Sequence, residues 1–93
     1  MFERILNQMR DKVRTRQYVM TLHAEEEMDE DGLTIFDVES TILSGEIIER
    51  QKDRSTAESK YLVKGQSLTD DDLIVVAKIG LTGKLVFLTV YRK

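Results

Sequence analysis

With 93 residues, no cysteine and a formal net charge of −3, the chain has room for a single domain spanning 1–93 and excludes disulfides and thiolate metal sites. Charged residues make up 33% of it and no apolar run reaches membrane length, so it reads as a cytoplasmic protein with neither a signal segment nor a membrane contact. A slightly acidic total also excludes the broad basic surface of a nonspecific nucleic-acid coat, while leaving a local basic site open.

Phe2, Ile5, Leu6, Met9 and Val13 recur at helical spacing with charged side chains between them, which predicts an amphipathic helix over residues 2–15. The stretch QYVMT that follows is brief and extended. Thr21 is placed to cap a second helix running to about Asp31, which Gly32 ends by taking the left-handed conformation that glycine reaches without steric cost. Thr34 followed by Asp37 is a capping-box variant, so a third helix starts there, carries Ile35, Val38 and Ile42 as its apolar stripe, and stops at Gly45.

From Glu46 onward the period becomes strand-like, in EIIERQ, KYLVKG, DLIVVAKIG and KLVFLTVYRK. The connections between these runs are too short for parallel crossovers, so the strands should follow one another as an antiparallel meander. The last two are almost unbroken apolar runs, which predicts central strands covered on both faces. Helices first and strands afterwards give an α+β fold, with N-terminal helices packed on a four-stranded antiparallel sheet.

Charge is laid out unevenly. Residues 24–40 hold eight acids and no base, directly after His23, the one histidine. On a helix His23 and Glu27 lie one turn apart and present an imidazole and a carboxylate to the same side, a spacing that suits a divalent ion. No second histidine and no cysteine exist to complete a zinc triad, so no metal and no cofactor is expected. The plainer reading makes His23 part of the helix start and the acids a solvated face.

The bases of the strands carry more information. Arg50 and Lys52 share parity in the first strand, Lys60 and Lys64 in the second, and Lys84 and Arg92 in the last, while Lys78 interrupts the third strand's apolar run. If the registers bring these sides together, one sheet face can hold a phosphodiester backbone and stabilise charge developing on phosphate. The competing reading is that these are edge lysines that blunt strand pairing. Tyr18, Tyr61 and Tyr91 add phenols able to move protons or stack on bases.

The ordered pieces LHAEEEM, DGLTIFDVESTILSGEII, KYLVKG and LVFLTVYRK resemble a small bacterial domain family of unknown function, whose members look like toxins of the RelE, BrnT and MqsR type. The resemblance covers about residues 20–91. It implies a RelE-like fold, a cognate antitoxin of the small DNA-binding or zinc-finger kind, and metal-independent cleavage of mRNA, free or on the ribosome. Such cleavage asks for basic side chains and phenols, here His23, Lys60, Lys64, Tyr91 and Arg92 as catalytic candidates, with Arg50, Lys52 and Lys78 as RNA contacts. Tyr91 has the opposite parity to Arg92 and fits that set least well.

One departure stands out: many members carry arginine where this chain has Glu27 and Asp31, so the charge of that helix is reversed in sign. The acidic helix is therefore expected to meet a basic partner through Glu26, Glu27 and Glu30. The rival to an RNA-cleaving toxin is a noncatalytic protein-interaction module built on the same scaffold and using that helix.

Overall fold

The computed structural model describes residues 1–52, 55–56 and 58–93. The chain folds as an α+β protein in the order α1 (Glu3–Arg14), β1 (Tyr18–Met20), α2 (Leu22–Asp31), α3 (Ile35–Ser44), β2 (Glu46–Lys52), β3 (Ser59–Gln66), β4 (Asp72–Ile79) and β5 (Leu85–Arg92). The helix boundaries follow their caps. The Thr21 hydroxyl accepts the Ala24 N–H at 3.1 Å, Gly32 turns left-handed with φ 67°, and Thr34 and Asp37 close a reciprocal capping box at the start of α3. The expected connection between the first two long strands includes positions 53, 54 and 57, which lie outside the described residues.

The sheet order is β1-β5-β4-β3-β2. β2 to β5 form the antiparallel meander that short connections require, but the sheet has a fifth strand and is mixed. β1 lies parallel to β5, pairing Tyr18 with Leu85, Val19 with Val86 and Met20 with Phe87. Three residues are too few to show a strand period, and their partner lies at the far end of the chain, so local pattern carried no sign of the pairing.

One core joins the helices to one face of the sheet. Met9 of α1, Met28 of α2 and Ile42 of α3 pack with Val63, Val75 and Phe87, each at or near full burial. β4 and β5 are interior strands, as their apolar runs predict, yet helices cover only one face of them. Ile74 and Val76 point away from that core and are buried by their neighbours on the opposite face, not by a further layer. Among the described residues no helix is long and apolar enough to cross a membrane.

α3 sits unusually close to the sheet. A Cβ on Gly65 would lie 2.3 Å from the Thr41 carbonyl oxygen, and one on Gly45 would lie 2.3 Å from that of Lys64. Arg10 of α1 then closes the helix end, its Nε donating to the Ile42 carbonyl at 3.2 Å and its NH2 to the Gly45 carbonyl at 2.8 Å. Because the obstructing atoms are backbone, Gly65→Ala should lower unfolding stability by about 2–4 kcal/mol in denaturant titration. A Cβ on Gly80 would lie 3.2 Å from the Val86 Cγ2, a side-chain atom able to shift, and an ordinary 3.5 Å from the Lys84 carbonyl oxygen. Gly80→Ala should cost less than about 1 kcal/mol; equal losses at both glycines would contradict the close packing of α3.

Candidate nucleic-acid interface

Two β-bulges decide which side chains occupy the sheet face that carries no helix. In β2, Ile47 pairs with Val63 and Glu49 with Leu62, leaving Ile48 as an extra residue. In β5, Phe87 pairs with Ala77 and Thr89 with Val76, leaving Leu88 as the extra one. One extra residue reverses the side on which every later side chain of that strand emerges.

The bulge in β2 sends Arg50 and Lys52 away from Lys60 and Lys64. Arg50 stands opposite Tyr61, which packs against the helix-side core, and Lys52 stands opposite Ser59. The proposed RNA contacts Arg50 and Lys52 therefore do not share a face with the lysines of β3, contrary to expectation from parity. Lys78, paired with Val86, does share it, and its Nζ is held by the Glu58 carboxylate at 2.6 Å.

The bulge in β5 exchanges Tyr91 and Arg92. Tyr91 stands opposite Ile74, which stands opposite Lys64, so Glu46, Lys64, Ile74 and Tyr91 form one cross-strand row on the uncovered face. Arg92 faces the helices with Leu73. Its NH1 meets Asp71 Oδ2 at 2.5 Å and its NH2 donates to the Asp31 carbonyl at the end of α2, 3.0 Å away. The expectation that Arg92 joins the lysines while Tyr91 stands apart is thus reversed. The Arg92 guanidinium holds the Asp71 carboxyl below the usual carboxylate range.

His23 and Glu27 belong to the helix layer. Glu27 Oε1 accepts the Val90 N–H at 3.0 Å and lies 3.3 Å from His23 Nε2. β1 ends beside Phe87, so beyond it the edge of β5 away from β4 lacks a strand partner, and the Glu27 carboxylate takes the place of one. The imidazole is mostly exposed and Glu27 is three-quarters covered, so His23 lies beside a carboxylate committed to β5 and does not face the lysines. Among the described residues no three His, Cys, Asp or Glu side chains gather as a metal cage.

Of the other tyrosines, Tyr18 donates to Glu39 Oε2 at 2.5 Å and stacks near Phe87, its phenol pushed up to about 12 by burial and by that carboxylate. Tyr61 lies edge-on to Phe2. Both are structural. Asp37 ties α3 to the β3–β4 loop by accepting the Thr34 and Leu68 N–H groups, which lower its pKa.

The uncovered face therefore carries Lys60, Lys64, Lys78 and Tyr91 around the half-buried Leu62, with Ile74 and Val76 buried beneath their neighbours. At its corner an open cleft of about 380 Å³ runs past Ser44, Glu46, Lys64, Gln66 and Asp72. Lys93, which parity puts beside Tyr91, completes that corner; the alternation Tyr91-x-Lys93 was its one sign in the sequence. A separate apolar opening lies between α3 and the β3–β4 loop, lined by Phe36, Leu43 and Leu68.

Residues 20–92 match the domain-of-unknown-function family DUF4258. The chain belongs to the DUF4258 family. The DUF4258 segment holds α2, α3 and the four long strands, and with them Lys60, Lys64, Lys78 and Tyr91; α1 with Arg10 precedes it. No curated protein and no solved structure matches the chain.

The carboxylates assigned to a partner surface divide in the same way. Glu26 and Glu30 are exposed, whereas Glu27 is committed to β5. Glu27→Lys should therefore cost about 1–3 kcal/mol by leaving the Val90 N–H without its acceptor, while Glu26→Lys and Glu30→Lys should stay within about 0.5 kcal/mol. Denaturant melts that rank the three alike would return Glu27 to the free surface.

Proposed function

We propose that this protein is the toxin-type member of an antitoxin pair, with a RelE-like scaffold, and that it engages and cleaves single-stranded mRNA across the uncovered face of its sheet. The reading is supported most by the company of Lys60, Lys64, Lys78 and Tyr91 on one side of the sheet, where the Tyr91 ring is exposed and able to meet a base. Lysines neutralise phosphate, and a phenol in the same row as Lys64 is the group there able to carry a proton. In the reaction the RNA 2′-hydroxyl attacks the adjacent phosphorus, the bond to the 5′-oxygen breaks, and the hydroxyl proton ends on that leaving oxygen. Lys64 opposes the charge that builds on the phosphoryl oxygens.

A second reading is a noncatalytic interaction module. It is favoured by the placement of His23 beside Glu27 and of Arg92 on Asp71, both away from the lysines of the uncovered face. The apolar opening at Phe36, Leu43 and Leu68 and the exposed Glu26 and Glu30 offer such a module its surfaces.

Induced expression without a partner should slow bacterial growth and shorten transcripts. Lys64→Ala should lower cleavage on the order of ten- to a thousandfold with stability kept within about 1 kcal/mol. Arg92→Ala should instead act on stability, by about 1–3 kcal/mol. Normal growth with intact transcripts at high expression moves the function to the interaction module.

A further inference from the structure

Phe36, Leu43 and Leu68 are large apolar side chains left 52%, 41% and 65% exposed, and all three line the same opening of about 410 Å³ between α3 and the β3–β4 loop. Its walls are tied together. Asp37 accepts the Leu68 N–H at 3.0 Å, the Ser40 hydroxyl donates to the Gln66 carbonyl at 2.8 Å, and the Gln66 N–H donates to the Ser44 hydroxyl at 3.2 Å. These bonds are spread along α3, so the cleft is already formed and little conformational freedom is lost when something fills it. The charge around it has one sign. No lysine or arginine occurs in residues 17–49, which include α3, or in residues 65–77, which include the loop. Glu39, which also accepts the Tyr18 hydroxyl, lines the opening, and Asp70 and Asp71 closely follow Leu68 in the loop. Arg10, which reaches α3, is taken up by the Ile42 and Gly45 carbonyls, and Arg92, which reaches the loop, by Asp71 and the Asp31 carbonyl.

We propose that this opening docks a cationic amphipathic segment of a protein partner, with large aliphatic side chains seated between Phe36, Leu43 and Leu68 and lysine or arginine side chains lying toward Glu39 and Asp70. The apolar lining supplies affinity, and the acidic surroundings select the partner and speed its approach. The same acids repel nucleic acid and anionic lipid surfaces. Phe36 and Leu43 are separated by roughly 10 Å along α3, which matches two turns of a facing helix. The inference deepens the reading of the chain as an interaction module by naming the partner's chemistry, and it places the docking site on α3 instead of the acids of α2. It requires nothing of the far face of the sheet, where Lys60, Lys64, Lys78 and Tyr91 stand.

The test titrates three synthetic peptides of about fourteen residues, roughly four helical turns, into the intact protein, followed by calorimetry and by backbone amide NMR. The first carries a leucine stripe and a lysine face, the second the same stripe with glutamate for lysine, and the third the lysine face with serine for leucine. The first should bind with shifts gathered at Phe36, Ser40, Leu43 and Leu68, and the other two should bind at least about tenfold more weakly. Leu68→Ser and Phe36→Ser should each weaken the first peptide on the order of tenfold, whereas Leu81→Ser, at a side chain 96% exposed in the β4–β5 turn, should leave it unchanged. Having two rim variants keeps the result readable if one of them loses its dispersed amide spectrum. If the second or third peptide matches the first, the pairing of apolar seat and acidic surroundings is overturned. Shifts that gather on α2, or binding that survives the rim substitutions, overturn this site and leave the interaction module standing. No binding of the first peptide at about 1 mM overturns the docking site and leaves the RNA reading untouched.

Discussion

α2 lies along the stretch of β5 that β1 is too short to reach, and the rest of the molecule is arranged by how it fastens there. The Thr21 N–H donates to the Phe87 carbonyl at 3.0 Å, its hydroxyl to the Leu88 carbonyl at 3.1 Å, and Glu27 accepts from Val90. These contacts bracket the bulge at Leu88, so polar groups of the helix serve where a neighbouring strand would. A buried backbone N–H left without a partner costs about 1–3 kcal/mol, comparable with a sizeable share of a small domain's net stability. Arg92 closes the far end by reaching the last carbonyl of α2 and Asp71.

The anchorage decides what the sheet shows to solvent. Holding the bulge at Leu88 turns Val90 into the core and Tyr91 outward, beside Lys64, and turns Arg92 inward. It also accounts for the acidic character of α2 at one position. A carboxylate at residue 27 can accept an N–H, which an arginine cannot, so this chain spends one of its acids internally and leaves Glu26 and Glu30 exposed. The second bulge, at Ile48, separates Arg50 and Lys52 from Lys60 and Lys64 of β3, which form no ion pair among the described residues.

The helices were legible in the sequence because their signals are local. Thr21 with Gly32, and Thr34 with Asp37, mark helix ends through contacts a few residues apart, and the structure has them as read. The meander was legible for the same reason, since short connections allow little else. The site was only half legible. Parity assigns faces correctly as long as alternation is unbroken, but EIIERQK and LVFLTVYRK hide their extra residues inside apolar runs where two adjacent hydrophobic residues look ordinary. Lys60 and Lys64, in a strand without a bulge, stayed together as read; Arg50, Lys52 and Arg92, each beyond a bulge, did not. The surroundings of His23 could not be read from sequence because the Glu27 carboxylate beside it is held by Val90, far along the chain.

The central claim is that RNA meets the helix-free face of the sheet, and it is tested most directly by following the backbone amide spectrum of the intact protein as a single-stranded RNA oligomer is added. The account predicts shifts concentrated at Leu62, Lys64, Val76 and Tyr91, with α2 from His23 to Glu30 unperturbed. Shifts that gather on α2, or around Phe36, Leu43 and Leu68, with the sheet silent, would contradict it.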